Sequence, residues 1–463
     1  MQINPTKQAY QLLHNGILAL ARAEKQGFCI DVPYIERKQR QLTSKIQKLQ
    51  DALKSDDFYI EWKKAFPFNI NTNSPKQLEH ILYKVKKLTP PKKTKTNKGS
   101  TDEESLKELN IPFLNKLIRI RKLKKIKDTY LASFMREQVD GVIHPSYNLH
   151  IARTYRSSSS NPNMQNVPKR DEEAMTITRK AIIPRPGHQL LELDYGSLEV
   201  KIAACYHKDK NMLKYINNPG SDLHKDMTEQ IFLCKIDKHI KEHALLRSAV
   251  KNSFIFPQFY GDYYKNNALS LAKWCSLPKQ GRWKKEQGVT FEGRCISNHL
   301  IEKGIKSMND FIDHLQKIES HFWKVRFFEY GKWKETWFRE YQKQGAFEMK
   351  TGFICDGYMK KNDVINYPVQ GAAFHCLLWS FIEADKVMIK EKWDTRLIGQ
   401  IHDSILLDVH PDELIHVAQT IKRITTQDLP KAWDWLIVPL DIDAELCPVD
   451  GSWAEKKDWE IPK

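Results

Sequence analysis

Two short apolar runs, each carrying an aspartate, constrain the fold of this chain more than any other feature. QLLEL at 189–193 reads as a short buried strand that, from Asp194, turns into a helix. RLIGQIHDSILLDV at 396–409 reads as a second core strand, and its Gly399 and interior IHDS mark a hairpin. About two hundred residues lie between them, helical in pattern and dense in Lys and aromatics. The arrangement implies a sheet assembled from distant segments with a helical insertion between its strands. PLDIDAELCPVDGSW at 439–453 adds one more strand and a turn. The fold class that follows is α+β.

Ahead of these runs the pattern is helical. Residues 6–26 place Tyr10, Leu13, Ile17 and Leu20 at helical spacing and stop at Gly27. Residues 34–54 form a second, highly charged helical run after a short extended turn, FCIDVP. LTPPKKTKTNKGSTDEES at 88–105 has no hydrophobic period and predicts an exposed basic loop ending in a helix cap at Ser100 or Thr101. NKLIRIRKLKKIKDTY at 115–130 puts Leu117, Ile120 and Leu123 on one stripe and spreads Lys116, Arg119, Arg121, Lys122, Lys124, Lys125 and Lys127 over the rest. A solvated helix face is the plain reading of such a run. Two adjacent basic elements in a chain with 74 Lys and Arg against 57 Asp and Glu, net +17, favour contact with a phosphate backbone.

At 463 residues the chain has room for about three domains, and its 41% apolar content excludes a disordered basic tail. It carries no run of 18 apolar residues and no secretory pattern at its N-terminus, so a soluble, cytoplasmic protein is expected. The eight cysteines form no C-x-x-C pair, which argues against a zinc ribbon or disulfide framework and for reduced, mostly buried thiols.

Asp194 and Asp403 sit at strand ends amid Leu and Ile, where a carboxylate is costly unless a cation compensates it. Two such groups in one sheet can hold two magnesium ions for phosphoryl transfer. Strand-end aspartates also merely cap helices or accept backbone N–H groups, and spacing alone leaves both readings open. Arg247 and Lys251, four apart on a helical run, put two cations on one face, a fit for a triphosphate.

The motifs around these residues resemble the polymerase region of family A DNA polymerases, the group of bacterial DNA polymerase one and many phage replicases. RTYRSSSSNPNMQNVPKR at 153–170, DYGSLEVKIAA at 194–204, RSAVKNSFIFPQFYG at 247–261, NYPVQGAA at 366–373 and QIHDS at 400–404 occur in the family's order. The resemblance implies a right-hand polymerase with an antiparallel palm sheet and mostly helical thumb and fingers. It divides the chain into thumb and N-terminal palm-side helices (1–150), palm (151–205), fingers (206–325) and palm again (326–463).

The resemblance implies metal carboxylates at Asp194 and Asp403, with the Tyr195 carbonyl as a further ligand for two Mg2+ ions, Mn2+ serving as a substitute. Glu199 aligns with the residue that closes the pocket under the sugar and excludes a 2′-hydroxyl. Arg170, His224, Arg247 and Lys251 resemble residues around the triphosphate. Glu199 and Lys251 thereby join the two aspartates in the catalytic set. Arg156, Asn163, Gln165 and Asn166 match contacts to primer-template backbone and minor groove, and Gln370 and His402 match residues at the primer terminus. Taken bare, SSSSNPN is a flexible polar turn, and Glu199 is an acid at a helix N-terminus.

Two departures stand out. The family's aromatic and Tyr-Gly fall four and eight residues after the lysine, whereas Phe256 and Tyr260 fall five and nine after Lys251. One extra residue near Pro257 predicts a π-bulge or kink, with Ile255 and Phe259 as the alternatives to Phe256 and Tyr260 if the register stays anchored on Lys251. Ser404 stands where many relatives carry an acid. The expected activity is primer extension with dNTPs on a DNA template by a monomer without in-chain proofreading. Primer-template DNA and dNTPs are its partners, and a separate exonuclease, helicase-primase or processivity factor is compatible. An RNA polymerase, a reverse transcriptase or a catalytically silent replication factor are the alternatives; Glu199 argues against the first and the aspartate pair against the last.

Overall fold

The computed structural model describes residues 6–94, 96–169, 171–218 and 220–462. Its central sheet is antiparallel and has five strands: β1 (Gln189–Tyr195), β2 (Arg396–Ile401), β3 (Ser404–Val409), β4 (Ile442–Leu446) and β5 (Lys457–Asp458), in the spatial order β2-β3-β1-β4-β5. The expected hairpin is β2–β3, and β3 pairs with β1 so that Ser404 faces Asp194 and Ile405 faces Leu193. Alternation along the pleat then sorts the side chains. Leu191, Leu193 and Tyr195 of β1 join Ile405, Leu407 and Val409 of β3 in one core, while Leu190 and Leu406 enter a second core on the opposite face. At Gly399 of β2 a Cβ would collide with the Phe28 ring and the Tyr147 hydroxyl, so only glycine lets the strand pass there.

The N-terminal helices form where expected, but the first buries a stripe of smaller residues and leaves Tyr10 and Ile17 exposed, so of the stripe read from the sequence only Leu20 is fully buried. α1 (Lys7–Gln26) packs into the first core through Ala9, Leu12, Ala19, Leu20 and Ala23. α2 (Val32–Lys54) is capped by Asp31, which accepts the Tyr34 N–H at 2.8 Å, and has a proline in its first turn. α3 (Pro112–Lys124) buries Phe113, Leu114, Leu117, Ile120 and Leu123 against α2 in the second core. Two expectations change here. The helix after the basic loop is capped by Asp102, whose carboxylate accepts the Ser105 N–H at 2.8 Å, while Ser100 accepts from Asp102 itself. The basic helix is also far less free than its composition suggests. Arg119 pairs with Glu173, Lys122 with Asp171 at 2.6 Å, Lys116 with Asp56 at 3.7 Å and Lys127 with Asp128 at 3.1 Å, and Arg121 donates to the Thr72 carbonyl. Lys124 and Lys125 have no such partner among the described residues.

The insertion between β1 and β2 is helical and its aromatics make its core. α4 (Leu198–His207) follows β1 directly. α5 (Lys241–Val250) runs into a π turn over Lys251–Ile255 and then a short helix, Phe256–Phe259, so the extra residue is absorbed as the expected π-bulge. α6 (Tyr264–Trp274) and α7 (Met308–His321) pack behind it, and α8 (Phe328–Gln344) leads back toward the sheet. Phe322, Trp323, Phe327 and Tyr330 pack edge-on or tilted against one another and against Phe254 and Phe259. α9 (Lys361–Glu391) is buried over most of its length and carries the NYPVQGAA motif. The cysteines are all free, five of them buried. Among the described residues no helix is long and apolar enough to cross a membrane.

One buried charge pins the far edge of the sheet. Glu192, two residues before Asp194, is almost fully buried; its carboxylate accepts the Trp453 indole N–H at 2.9 Å and lies 2.5 Å from the Lys456 ammonium, which also bonds Glu445. Removing one partner of a buried pair leaves an uncompensated charge. Lys456→Met is therefore expected to lower unfolding free energy by about 3 kcal/mol, measured as a fall in the urea midpoint. An unchanged midpoint would show that the pair holds nothing together.

Candidate active site

The hairpin turn between β2 and β3 is the two residues His402 and Asp403. His402 has φ 54°, a left-handed conformation that His, Asn and Asp tolerate better than most residues. The Tyr195 N–H donates to the Asp403 carbonyl at 3.3 Å, tying the turn to the end of β1. Asp194 projects from the β1 face opposite Leu193 and Tyr195. The Tyr195 ring is buried and its hydroxyl meets Ser380 at 2.8 Å, which anchors the backbone at this position. The sheet thus brings the two aspartates, two hundred residues apart in the chain, to one place.

That place is electrostatically poor for anions. Burial pushes the Asp194 carboxyl up to about 6; Lys169 opposes the rise and Asp403 adds to it. Burial also raises Asp403, with Arg156 opposing and Glu199 reinforcing the rise. Arg156 lies 2.5 Å from the Glu199 carboxylate and 3.8 Å from Asp403. Among the described residues no three His, Cys, Asp or Glu side chains converge as a ready-made metal cage. Two desolvated carboxylates next to each other still suit a divalent cation whose remaining ligands come from backbone, water or substrate.

A cavity of about 360 Å³ opens in front of them. The sheet side supplies Asp194, Tyr195, His402 and Asp403, α4 supplies Glu199 and Ala203, and the insertion supplies Phe256, Phe259 and Tyr260. The Tyr260 hydroxyl bonds Glu199, whose carboxylate thereby bridges Tyr260 and Arg156 across the cavity mouth. Ile255 and Phe254 are fully buried, so of the two registers weighed for this segment it is Phe256 and Tyr260 that reach the cavity, joined by Phe259. Gly371 of α9 lets the helix come against the Thr154 carbonyl, at 2.5 Å from where a Cβ would stand, which brings the 153–156 segment beside the site.

The other expected residues divide into groups. His224, Arg247 and Lys251 do not line this cavity; Lys251 lies 5.4 Å and His224 6.1 Å from the Phe256 ring, and the Arg247 charge acts on His224. Arg247 makes a bidentate pair with Asp222 at 2.9 and 3.0 Å, and burial and the nearby Arg247 and Lys251 charges lower His224 to about 4. Gln165 donates to Ser157 at 3.0 Å and to Gln400 at 3.3 Å, whereas Asn163 and Asn166 are exposed. Gln370 is half-buried on α9. Arg170 lies outside the described residues. Sequence reasoning passed over Asn366, which donates to the Tyr260 carbonyl, and Lys169, although both sit inside motifs it had singled out. It also passed over Tyr330, His207 and Met212 in the cavity wall, which carry no local signal beyond aromatic or apolar helix positions.

The profile of DNA polymerase family A matches residues 33–285 and 296–455. DNA polymerase I of Lactococcus lactis subsp. cremoris is 28% identical over 376 residues, covering 81% of this chain and 38% of its own length. The thermostable DNA polymerase I of Thermus filiformis is 27% identical over 454 residues, covering 95% of this chain and 47% of its own length. The chain thus spans less than half the length of these curated relatives. In fold it is similar to the POL domain of Pol1 from M. smegmatis, solved in complex with DNA primer-template and dNTP, with TM-score 0.72 and 23% identity over 96% of this chain and 70% of that one.

Because the folded state raises Asp194 above its unfolded value, the ionised side chain costs stability at neutral pH. Asp194→Asn is expected to raise the urea midpoint of chelator-treated protein. Magnesium should stabilise the wild type and leave the variant unmoved; a lower midpoint for the variant in chelator would contradict this account of the site.

Proposed function

The chain belongs to DNA polymerase family A, and on that premise we propose that it is a DNA-templated DNA polymerase that extends a primer 3′-hydroxyl with dNTPs. The observation that carries the reading is the cavity in which Asp194 and Asp403 from the sheet meet Phe256 and Tyr260 from the helical insertion, with Glu199 between them. One side has the chemistry for phosphoryl transfer and the other has flat rings for a base, which is the pairing a nucleotidyl transferase requires.

Asp194 and Asp403, with the Tyr195 carbonyl, would hold two divalent ions, magnesium or in its place manganese. Bound there, the ions would lower the pKa of the primer hydroxyl and stabilise charge on the phosphate. The chain's own residues do the positioning. Arg247 and Lys251 would supply the cations for the triphosphate, with neutral His224 beside Phe256 as a hydrogen-bonding group, and Arg247 would exchange its carboxylate partner Asp222 for phosphate oxygens. Glu199, tied to Arg156 and Tyr260, stands where the sugar must pack and would exclude a 2′-hydroxyl. Gln165, Asn163, Asn166, Gln370 and His402 would follow the primer-template, and the thumb cations would add phosphate contacts once they leave their acidic partners. The division into thumb (1–150), palm (151–205 and 326–463) and fingers (206–325) fits this assignment, because sheet and cavity floor come from the palm segments and the aromatic wall from the fingers. Partners beyond DNA and dNTPs, and a cytoplasmic site of action, are part of the same proposal.

Asp194→Ala or Asp403→Ala should abolish extension on a primed template with magnesium while leaving primer-template affinity within about tenfold, since most binding energy comes from phosphate contacts elsewhere. Undiminished extension by either variant would end the assignment. Glu199→Ala should reduce the dNTP-over-NTP ratio of kcat/KM together with the overall rate; an unchanged ratio removes Glu199 from sugar selection and reopens the RNA polymerase reading.

A further inference from the structure

Behind the aromatic wall of the cavity lies a buried polar cluster that none of the motifs explains. Gln258 is completely buried on the short helix Phe256–Phe259. Successive helical residues turn by about 100°, so Phe256 and Tyr260 share the cavity side and Gln258 points away from it. Both polar atoms of its amide are bonded. Nε2 donates to Asn267 on α6 and to Glu319 on α7, each at 2.6 Å, and Oε1 accepts the Trp323 indole N–H at 2.6 Å. Glu319 also accepts the Tyr264 N–H at 3.0 Å, and the Gln258 carbonyl accepts from Lys334 of α8, whose ammonium lies 3.3 Å from the Trp323 ring centroid. Asn267 is as buried as Gln258.

We propose that Gln258 is a positioning residue of the nucleotide site: its amide fastens the segment bearing Phe256 and Tyr260 to the helices behind it. The inference rests on the polymerase reading above. The π turn over Lys251–Ile255 breaks the regular ladder just ahead of this segment, so α5 alone does not hold the two rings in place. The hold comes from the far side, where one side chain joins α6, α7 and the Phe322–Arg326 turn through three hydrogen bonds. An apolar residue of the same size at 258 would keep the volume and leave Asn267, Glu319 and Trp323 without their partner.

Single-nucleotide incorporation on a primed template tests this with Gln258→Leu, Gln258→Glu, Glu319→Gln and the last two combined. Gln258→Leu should raise KM for dNTP roughly tenfold, with kcat within about threefold and the primer-template Kd within about twofold of wild type. Gln258→Glu sets two carboxylates face to face and should raise KM at least as much. Burial already holds the Glu319 carboxyl above its ordinary range, so Glu319→Gln is a mild change. Combined with Gln258→Glu it restores a carboxylate–amide contact and should return KM to within about twofold of wild type. A merely structural role would lower the active fraction, and with it kcat, and leave KM alone. An unchanged KM in Gln258→Leu, or a combined variant no better than Gln258→Glu, overturns the role of Gln258. Absence of extension by the wild type overturns the polymerase reading and this inference with it.

Discussion

The pairing of β1 with β3, closed by the bond from the Tyr195 N–H to the Asp403 carbonyl, is what the rest of the structure serves. It joins segments two hundred residues apart, so the loop-closure cost must be met by burial on both faces of the sheet. Leu191, Leu193, Ile405 and Leu407 supply that burial on one face, Leu190 and Leu406 on the other. Strand alternation leaves Asp194 beside the turn that carries Asp403, and the register admits no other neighbour: a slip by one residue would put Leu193 at the cavity and the carboxylate in the core.

Concentrating negative charge at this point has consequences outward. Asp194 and Asp403 are both held above their usual carboxylate range, and the cations nearest them, Lys169 and Arg156, come from the segment that the resemblance assigns to primer-template contact. Arg156 is shared between Asp403 and Glu199, and Glu199 in turn bonds Tyr260 of the insertion. The sheet, the 153–170 segment and the aromatic wall are therefore linked through one carboxylate at the cavity mouth. The sheet's other edge is stabilised in the opposite manner, by Lys456 against Glu192 and Glu445.

The insertion illustrates how a one-residue irregularity is tolerated. A π turn widens the helix by one residue per turn and rotates everything after it, which is why Phe256 and Tyr260 rather than Ile255 reach the cavity with Phe259. The rotation is compatible with packing only because the residue then turned inward, Gln258, finds three partners in an otherwise aromatic core.

Local periodicity and turn chemistry made the hairpin at 396–409, the strand at 189–193 and the first two helices legible from the sequence, because each is decided by neighbours within a few residues, whereas the π-bulge was legible only against the family's spacing after the lysine. The five motifs, by their order, made the family legible and put Asp194, Asp403, Glu199, Phe256 and Tyr260 in one site. Pairings between distant polar residues were not legible. Arg119 and Lys122 read as free cations, and only the folded chain sets Asp171 and Glu173 beside them; Ser100 read as a cap, and Asp102 takes the N–H because its carboxylate lies closer to the helix start. Gln258, Asn366 and Lys169 carry no periodic signal either. Apolar burial repeats along the chain and can be read from it, whereas a hydrogen bond or ion pair depends on two positions that meet only in three dimensions.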